Sequence, residues 1–230
     1  MRRDRLADQR GMTLIELLVA MSVGTVVLLA AFMLIDRSFS ASGQIADRTD
    51  ALQRGRQAML LMSRQLRSQV CVGTVTNPMV AAEDNTVTFY SDLTDNLQVK
   101  RRTLTFNPAT DTITQSVIDG VGTYPALTFT GTPTPTTLLT KVKQVMDGTT
   151  ARPMFRYLGY VPGNPPGDLE TLGAPWTTEK LGRVAVIRIA FRAFADRPIS
   201  DDGDSTVLEN EVYVRVSVDP TQTVEGPRCI

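Results

Sequence analysis

Histidine is absent from this chain, and cysteine is nearly so. The 230 residues contain no histidine and only two cysteines, Cys71 and Cys229, which do not form a Cys-x-x-Cys pair. Without histidine, the sequence excludes a Ser-His-Asp triad, a histidine general base and histidine metal ligands. Two cysteines cannot form a four-thiolate zinc site, and their separation excludes a thioredoxin-like dithiol motif. Composition alone therefore excludes many enzyme mechanisms.

The chain also has no net formal charge. The 24 lysines and arginines balance the 24 aspartates and glutamates, so the formal charge is +0. The chain thus lacks the overall basic charge of many nucleic-acid-binding proteins, and it has no acidic tail. It also contains no glycine-rich phosphate-binding or dinucleotide-binding motif. No group of residues favours an anchored extracytoplasmic enzyme, and we expect no catalytic residues, no cofactor and no metal.

One long apolar run stands near the N-terminus. Residues 12–35 contain a single charged residue, Glu16, and residues 17–35 contain none. A helix of this length spans about 36 Å, against a hydrocarbon core of about 30 Å. Residues 1–11 carry four arginines against two aspartates. The positive-inside rule then predicts a single-pass protein of the cytoplasmic (inner) membrane, with its N-terminus in the cytoplasm and its remainder outside.

Two simpler interpretations of this run fit less well. A cleaved secretory signal peptide has an apolar run of about 7–15 residues followed by a small-x-small site. Here the run is longer, and the sequence DRSF that follows it is a poor cleavage site. An ordinary signal anchor fits the length but does not explain Glu16, because a carboxylate inside the bilayer costs about 2.5–3.5 kcal/mol. A carboxylate that snorkels to the interface without a role is the remaining alternative for Glu16.

Residues 10–20, with the sequence RGMTLIELLVA, resemble the class III signal of type IV prepilins and type II secretion pseudopilins. The resemblance implies cleavage between Gly11 and Met12 by a membrane prepilin peptidase, followed by N-methylation of Met12. Met12 stands where phenylalanine is usual, and the apolar run lacks the proline that is common in major pilins. Residues 56–70 are similar to the end of the spine helix in PilW-type minor pilins and J-type pseudopilins.

The resemblance implies a role for Glu16 in processing and assembly, and physical chemistry suggests how it acts. Cleavage would free the amine of Met12 at the membrane surface, one helical turn above Glu16. A buried carboxylate needs a partner, which the amine of a neighbouring subunit can supply. Such a pair would fix the axial register, as single polar residues do in coiled coils.

This family resemblance implies a structural minor pilin or pseudopilin of a type IV pilus or type II secretion filament, acting in filament initiation or in the tip complex. The implied partners are prepilin peptidase, other pilin or pseudopilin subunits through the helix, the inner-membrane assembly platform, and membrane lipid before assembly. The alternative is a membrane-anchored binding module, such as a DNA-uptake or adhesive tip subunit. Its one candidate feature is the basic run Lys100-Arg101-Arg102, and nucleic acid is otherwise not expected as a partner.

The expected fold class is α+β, a pilin-like arrangement of a long N-terminal hydrophobic helix packed on an antiparallel sheet. We predict a cleaved leader over residues 1–11, the transmembrane half of the helix over 12–35, its amphipathic half over 36–70, and a β-rich head over 71–230. The amphipathic half is predicted from a stripe of apolar residues, namely Ile45, Leu52, Met59 and Leu66. A separate coiled-coil stalk is the alternative for 36–70.

Alternating apolar residues predict the strands of the head. They are expected over residues 86–90, 97–106, 112–118, 183–194 and 212–218. Residues 107–111 form a hairpin turn between two of these strands, and the strands at 183–194 and 212–218 pair in antiparallel fashion. Trp176 is expected to anchor packing rather than to bind a ligand.

Two further sites are candidates in the head. Cys71 follows the predicted end of the helix and Cys229 is the penultimate residue, so a disulfide between them would tie the C-terminus to the helix in an oxidising compartment. Type IV pilins often carry a disulfide near the C-terminus, although two unrelated buried thiols are the alternative. Asp201, Asp202, Asp204 and Glu209 form an acidic segment that is either a solvated hairpin tip or a calcium site, and the sequence does not decide between the two.

Overall fold

The computed structural model describes residues 13–73, 77–93, 98–161, 168–195 and 205–214. The chain divides into two compact units, residues 1–46 and 47–230. Helix α1 (Leu14–Arg67) contributes residues to both units, and each unit is described by itself.

The described part of the first unit, residues 13–46, contains the apolar stretch of α1. Every side chain from residue 13 to residue 42 is exposed, although most of them are apolar. By length and composition, α1 is suited to cross a membrane. A helix that is apolar on all sides is stable when lipid or other helices surround it, and the exposed apolar surface of this unit is suited to such an environment.

The second unit begins with the remainder of α1, which buries one face. Its buried residues are Ala51, Gly55, Ala58, Met59, Met62, Ser63, Gln65 and Leu66. The predicted stripe is therefore correct at Met59 and Leu66, but wrong at Ile45, which is 69% exposed, while Leu52 is half-buried. Because residues 51–66 pack within the core of the head, the alternative of a separate coiled-coil stalk is wrong for this part of the helix.

Fourteen strands and one short helix follow within the described residues. They are β1 (Met79–Ala82), β2 (Thr86–Ser91), β3 (Lys100–Asn107), β4 (Thr112–Asp119), β5 (Val121–Thr123), β6 (Ala126–Thr128), β7 (Thr134–Thr140), β8 (Val142–Lys143), β9 (Met146–Asp147), β10 (Thr150–Ala151), β11 (Phe155–Tyr160), β12 (Leu169–Leu172), α2 (Thr178–Gly182), β13 (Val184–Phe194) and β14 (Ser205–Tyr213).

Two antiparallel five-stranded sheets dominate the head. The first has the order β1-β2-β3-β4-β7, and the second has the order β12-β11-β13-β14 with β8 also paired to β13. Strands β5 and β6 form a separate hairpin, as do β9 and β10. The predicted strands β2, β3, β4 and β13 are present, as is the hairpin turn between β3 and β4. The α+β fold class, a long apolar helix with an antiparallel sheet domain, is thus confirmed.

The core lies between α1 and one face of each sheet. The first sheet contributes Val87, Phe89, Leu104, Phe106 and Ile113, and the second contributes Ile187, Ile189, Phe191, Ala193 and Val212. Along β2 and β3 these residues alternate with half-buried ones, because the pleat turns successive side chains to opposite faces. Strand β13 also buries Val186 and Ala190, which lie on its other face. Trp176 packs against this core, with its ring edge-on to Tyr157 at 4.9 Å between centroids.

Polar side chains connect α1 to both sheets. The Gln65 Nε2 donates to Gln115 Oε1 in the first sheet at 2.6 Å. The Asn210 Nδ2 in β14 of the second sheet donates to Ser63 Oγ at 2.8 Å. A buried polar group that lacks a partner costs about 1–3 kcal/mol, so these bonds fix which helix residues face which strands.

Two boundaries differ from the sequence prediction. Helix α1 ends at Arg67, three residues before the predicted residue 70, because Gln69 forms a β-bridge with Ser91 and the Val70 N–H donates to Tyr90 O. Strand β14 begins at Ser205 and ends at Tyr213, whereas the prediction placed this strand at 212–218. Residues 215–218 of this predicted strand lie outside the described residues. Leu97, the first residue of the strand predicted over 97–106, also lies outside them.

Candidate processing and assembly site

The helix N-terminus contains a capping box. The Thr13 N–H donates to Glu16 Oε2 at 2.9 Å, and the Thr13 hydroxyl donates to the same oxygen at 3.0 Å. In return, the Glu16 N–H donates to Thr13 Oγ1 at 3.3 Å. This reciprocal arrangement of Thr-x-x-Glu satisfies donors that the first turn of a helix leaves without partners. The helix consequently begins at Leu14.

The capping box gives the Glu16 carboxylate partners within its own chain. Both bonds from Thr13 reach Oε2, and the positive end of the helix dipole lies at the same turn. A carboxylate that accepts two hydrogen bonds costs less to place near lipid than one without donors. The sequence analysis missed this role of Thr13, although the Thr-x-x-Glu spacing is itself a signature of helix N-termini.

Gly11 and Met12, the predicted cleavage site and methylation site, lie outside the described residues. Glu16 lies at the start of the exposed apolar surface. Large apolar side chains here include Leu14 at 78% exposed and Leu28 at 72% exposed. The first turn thus places one carboxylate beside a helix surface that is otherwise apolar, so an amine from a neighbouring helix would find one acidic position on it.

Cys71 lies four residues after the end of α1 and is 4% exposed. Its predicted partner Cys229 lies outside the described residues. The disulfide therefore stays a prediction.

The basic run at the start of β3 does not form one continuous patch. The Lys100 Nζ lies 2.7 Å from Asp119 Oδ1. Arg102 is 8% exposed, and its Nε donates to Ser91 Oγ at 2.8 Å. Burial lowers the pKa of Arg102, and the nearby Asp119 opposes that shift. Arg101, by the alternation of the strand, lies on the opposite face from Arg102. The three charges therefore do not offer a shared surface for a nucleic acid backbone.

The acidic segment is only partly described. Glu209 accepts from Arg152 Nη2 at 3.0 Å and lies 3.8 Å from Arg188 Nε, so arginines already compensate its charge. Asp201, Asp202 and Asp204 lie outside the described residues. Within the part of the chain that the structure describes, no three aspartates, glutamates or cysteines form a group that could hold a metal ion.

The comparison with protein families finds one match at the N-terminus. The family model of the prokaryotic N-terminal methylation motif matches residues 6–32. No curated protein and no solved structure matches the chain. The matched residues include the predicted cleavage site, the capping box and most of the apolar run.

Proposed function

Since the chain carries the N-terminal methylation motif of type IV prepilin-like proteins, which points to a structural protein, we propose that it is a minor pilin or pseudopilin subunit of a type IV pilus or type II secretion filament. In this role it is inserted in the inner membrane through the apolar part of α1 and then enters the filament at initiation or in the tip complex. The observation that carries the proposal is the matched motif together with the exposed apolar helix that follows it.

Processing comes first in the proposed pathway. Prepilin peptidase cuts between Gly11 and Met12 at the cytoplasmic face, and the new amine of Met12 is methylated. Intact-mass and N-terminal analysis of protein extracted from membranes tests this step. We expect a chain that starts at N-methylated Met12. A chain that still starts at Met1, in cells with active prepilin peptidase, would contradict the assignment.

Assembly depends on Glu16 in this proposal, because its carboxylate pairs with the Met12 amine of a neighbouring subunit. The capping box permits a test that separates charge from helix capping. Glu16→Gln removes the charge, whereas the glutamine can keep the capping hydrogen bonds because the motif accepts either residue. We expect Glu16→Gln to insert in the membrane and to enter filaments less than the wild type does.

The matched control for this variant is Asp36→Asn. It makes the same chemical change in the same helix, 20 residues further on and after the apolar run. We expect this control to enter filaments as the wild type does. Incorporation of Glu16→Gln at the wild-type level would show that the charge has no role in assembly, whatever the outcome of the processing experiment.

The head is proposed to lie outside the cytoplasm, where a Cys71–Cys229 disulfide can form. The loop that this bond closes comprises nearly the whole head, so the chain-entropy estimate of its stabilisation is about 5 kcal/mol as an upper bound. Mass spectrometry of unreduced protein after alkylation of free thiols tests the bond. If both cysteines are alkylated in protein from the native compartment, the bond does not exist and the location of the head loses this support.

A further inference from the structure

The outer face of the first sheet, which is the face turned away from α1, is covered with hydroxyl groups. Its side chains are the half-buried residues that alternate with the core residues along β2, β3 and β4. Thr88, Thr103 and Ser116 are consecutive register partners, and so they form a row across three strands. A second row of register partners runs beside it and consists of Thr86, Thr105 and Thr114. The strands that carry the neighbouring residues of a row lie about 4.8 Å apart.

A groove of about 380 Å³ lies over the first of these rows. Thr88, Thr103 and Ser116 line it, and the hydroxyls of Thr88 and Thr103 are hydrogen-bonded at 3.0 Å. Its apolar lining includes Val80 in β1 and Pro133 before β7. The groove therefore combines hydroxyl groups that can donate and accept with apolar side chains.

Arg101 also lines this groove. Among the described residues its guanidinium has no ion pair and no hydrogen bond, whereas Lys100 is paired with Asp119 and Arg102 is bonded to Ser91. An arginine with no compensating carboxylate can bind a planar anionic group through two parallel hydrogen bonds. The charge in the groove is therefore complementary to a carboxylate.

An aromatic pair stands next to Arg101. Tyr90 in β2 is the register partner of Arg101, and its ring lies 4.8 Å from the ring of Phe129 between centroids. Tyrosine offers an apolar ring face together with a polar hydroxyl. A ligand held by Arg101 thus has an aromatic surface beside it.

We propose that this outer-face groove binds an acidic polysaccharide, with one uronic acid carboxylate held by Arg101. The hydroxyls of Thr88, Thr103 and Ser116 bind sugar hydroxyls, and the apolar lining and Tyr90 contact the C–H faces of the sugar rings. Nucleic acid fits the groove less well. Its affinity depends on several cations that neutralise successive phosphates, and Arg101 is the one cationic side chain among the described residues that line the groove. The proposal does not depend on the role of Glu16 or on the processing of the N-terminus.

The test uses the full chain in detergent micelles and polygalacturonate as the probe, with binding measured by interferometry on the immobilised polymer at about 0.15 M salt. We expect the wild type to bind polygalacturonate and not the neutral polymer pullulan. Arg101→Gln should lower the affinity about tenfold or more, as the loss of hydrogen bonds to a charged group does. Tyr90→Ala should also lower it.

Arg156→Gln is the matched control, because Arg156 in β11 is similarly half-buried but belongs to the second sheet. It makes the same change in net charge and should leave the affinity unchanged. Fluorescence of Trp176, the only tryptophan, confirms that each variant is folded.

Three results would overturn the proposal. The first is no binding of the wild type to polygalacturonate, or equal binding to pullulan. The second is an equal loss of affinity in Arg101→Gln and Arg156→Gln, which would indicate general electrostatic attraction. The third is tighter binding of single-stranded DNA than of polygalacturonate with the same dependence on Arg101, which would assign the groove to nucleic acid.

Discussion

At Gly55, helix α1 lies close against the second sheet. A Cβ atom built on Gly55 would lie 2.2 Å from Leu208 Cδ1 and 3.0 Å from Ala193 Cβ. Two non-bonded carbon atoms do not approach to the first of these distances, so Leu208 must move if residue 55 becomes alanine. Ala193 is fully buried within β13 and cannot move as freely. Glycine at this position therefore allows the helix to lie against the sheet.

Two opposing effects decide the stability of Gly55→Ala. Alanine in place of glycine favours a helix by about 1 kcal/mol. Overpacking of a core costs about 1–3 kcal/mol. Because the contact at 2.2 Å forces Leu208, which packs against the core, to move, we expect the cost to exceed the gain. The predicted net result is a loss of about 1 kcal/mol in the free energy of unfolding of the head, the difference between these two effects.

Urea unfolding of the full chain in detergent micelles, followed by Trp176 fluorescence, measures this free energy. The control is the same substitution in a Leu208→Ala background, where the contact at 2.2 Å is gone. There Gly55→Ala should be neutral or stabilising, so the two substitutions should show a coupling of about 1–2 kcal/mol. If Gly55→Ala alone stabilises the head, or if the coupling is zero, the close approach is not a constraint on this residue.

Three further predictions use the same measurement. Met62→Ala should lower the free energy of unfolding by about 2–5 kcal/mol, since Met62 is 0% exposed and a cavity would remain; a loss near zero would contradict its place in the core. Gly159→Ala should destabilise more than Gly173→Ala, because its Cβ would lie 2.5 Å from Arg183 O while Gly173 has open space; equal effects would refute the difference. Burial raises the pKa of Tyr157 above its ordinary value, so the free energy of unfolding should fall as the pH rises above about 10, where the tyrosine of the unfolded chain ionises. Tyr157→Phe should reduce this loss of stability at high pH. An unchanged pH dependence in Tyr157→Phe would count against this cause.

The sequence predicts those helices and strands in which large apolar residues follow a clear and regular pattern along the chain. The apolar half of α1 and the strands β2 and β13 belong to this class. The buried face of the second half of α1 was harder to predict, because it starts with Ala51, Gly55 and Ala58. Small residues there allow close packing on the sheet, but they give little hydrophobic signal, so the larger Ile45 was wrongly included.

Strand β14 was misplaced for a related reason. Leu208 and Val212 both pack against the core, but Asn210 stands between them and donates to Ser63 instead. A polar residue at an inward position breaks the apolar alternation on which the prediction relies. The partner on α1 is far away in sequence and is visible only in the structure.

At the candidate processing site, hydrogen bonds between residues close in sequence were also not predicted. The motif around Glu16 was recognised from the sequence, whereas the bonds from Thr13 to its carboxylate were not considered. The general helix signature Thr-x-x-Glu would have predicted them. The lack of an ion pair for Arg101 among the described residues could not be predicted, because it depends on which of three adjacent charges finds a partner across the strands.

The two polar connections of α1, Gln65 to Gln115 and Ser63 to Asn210, have a mechanical consequence. They join neighbouring positions of the helix to two different sheets. A force along the axis of residues 47–67 therefore loads both sheets at once. The helix cannot slide by one turn without breaking both bonds and leaving buried amides without partners. Tension along this part of the helix therefore acts in shear on both sheets. It does not act on a single strand, which could be peeled away from the edge of a sheet.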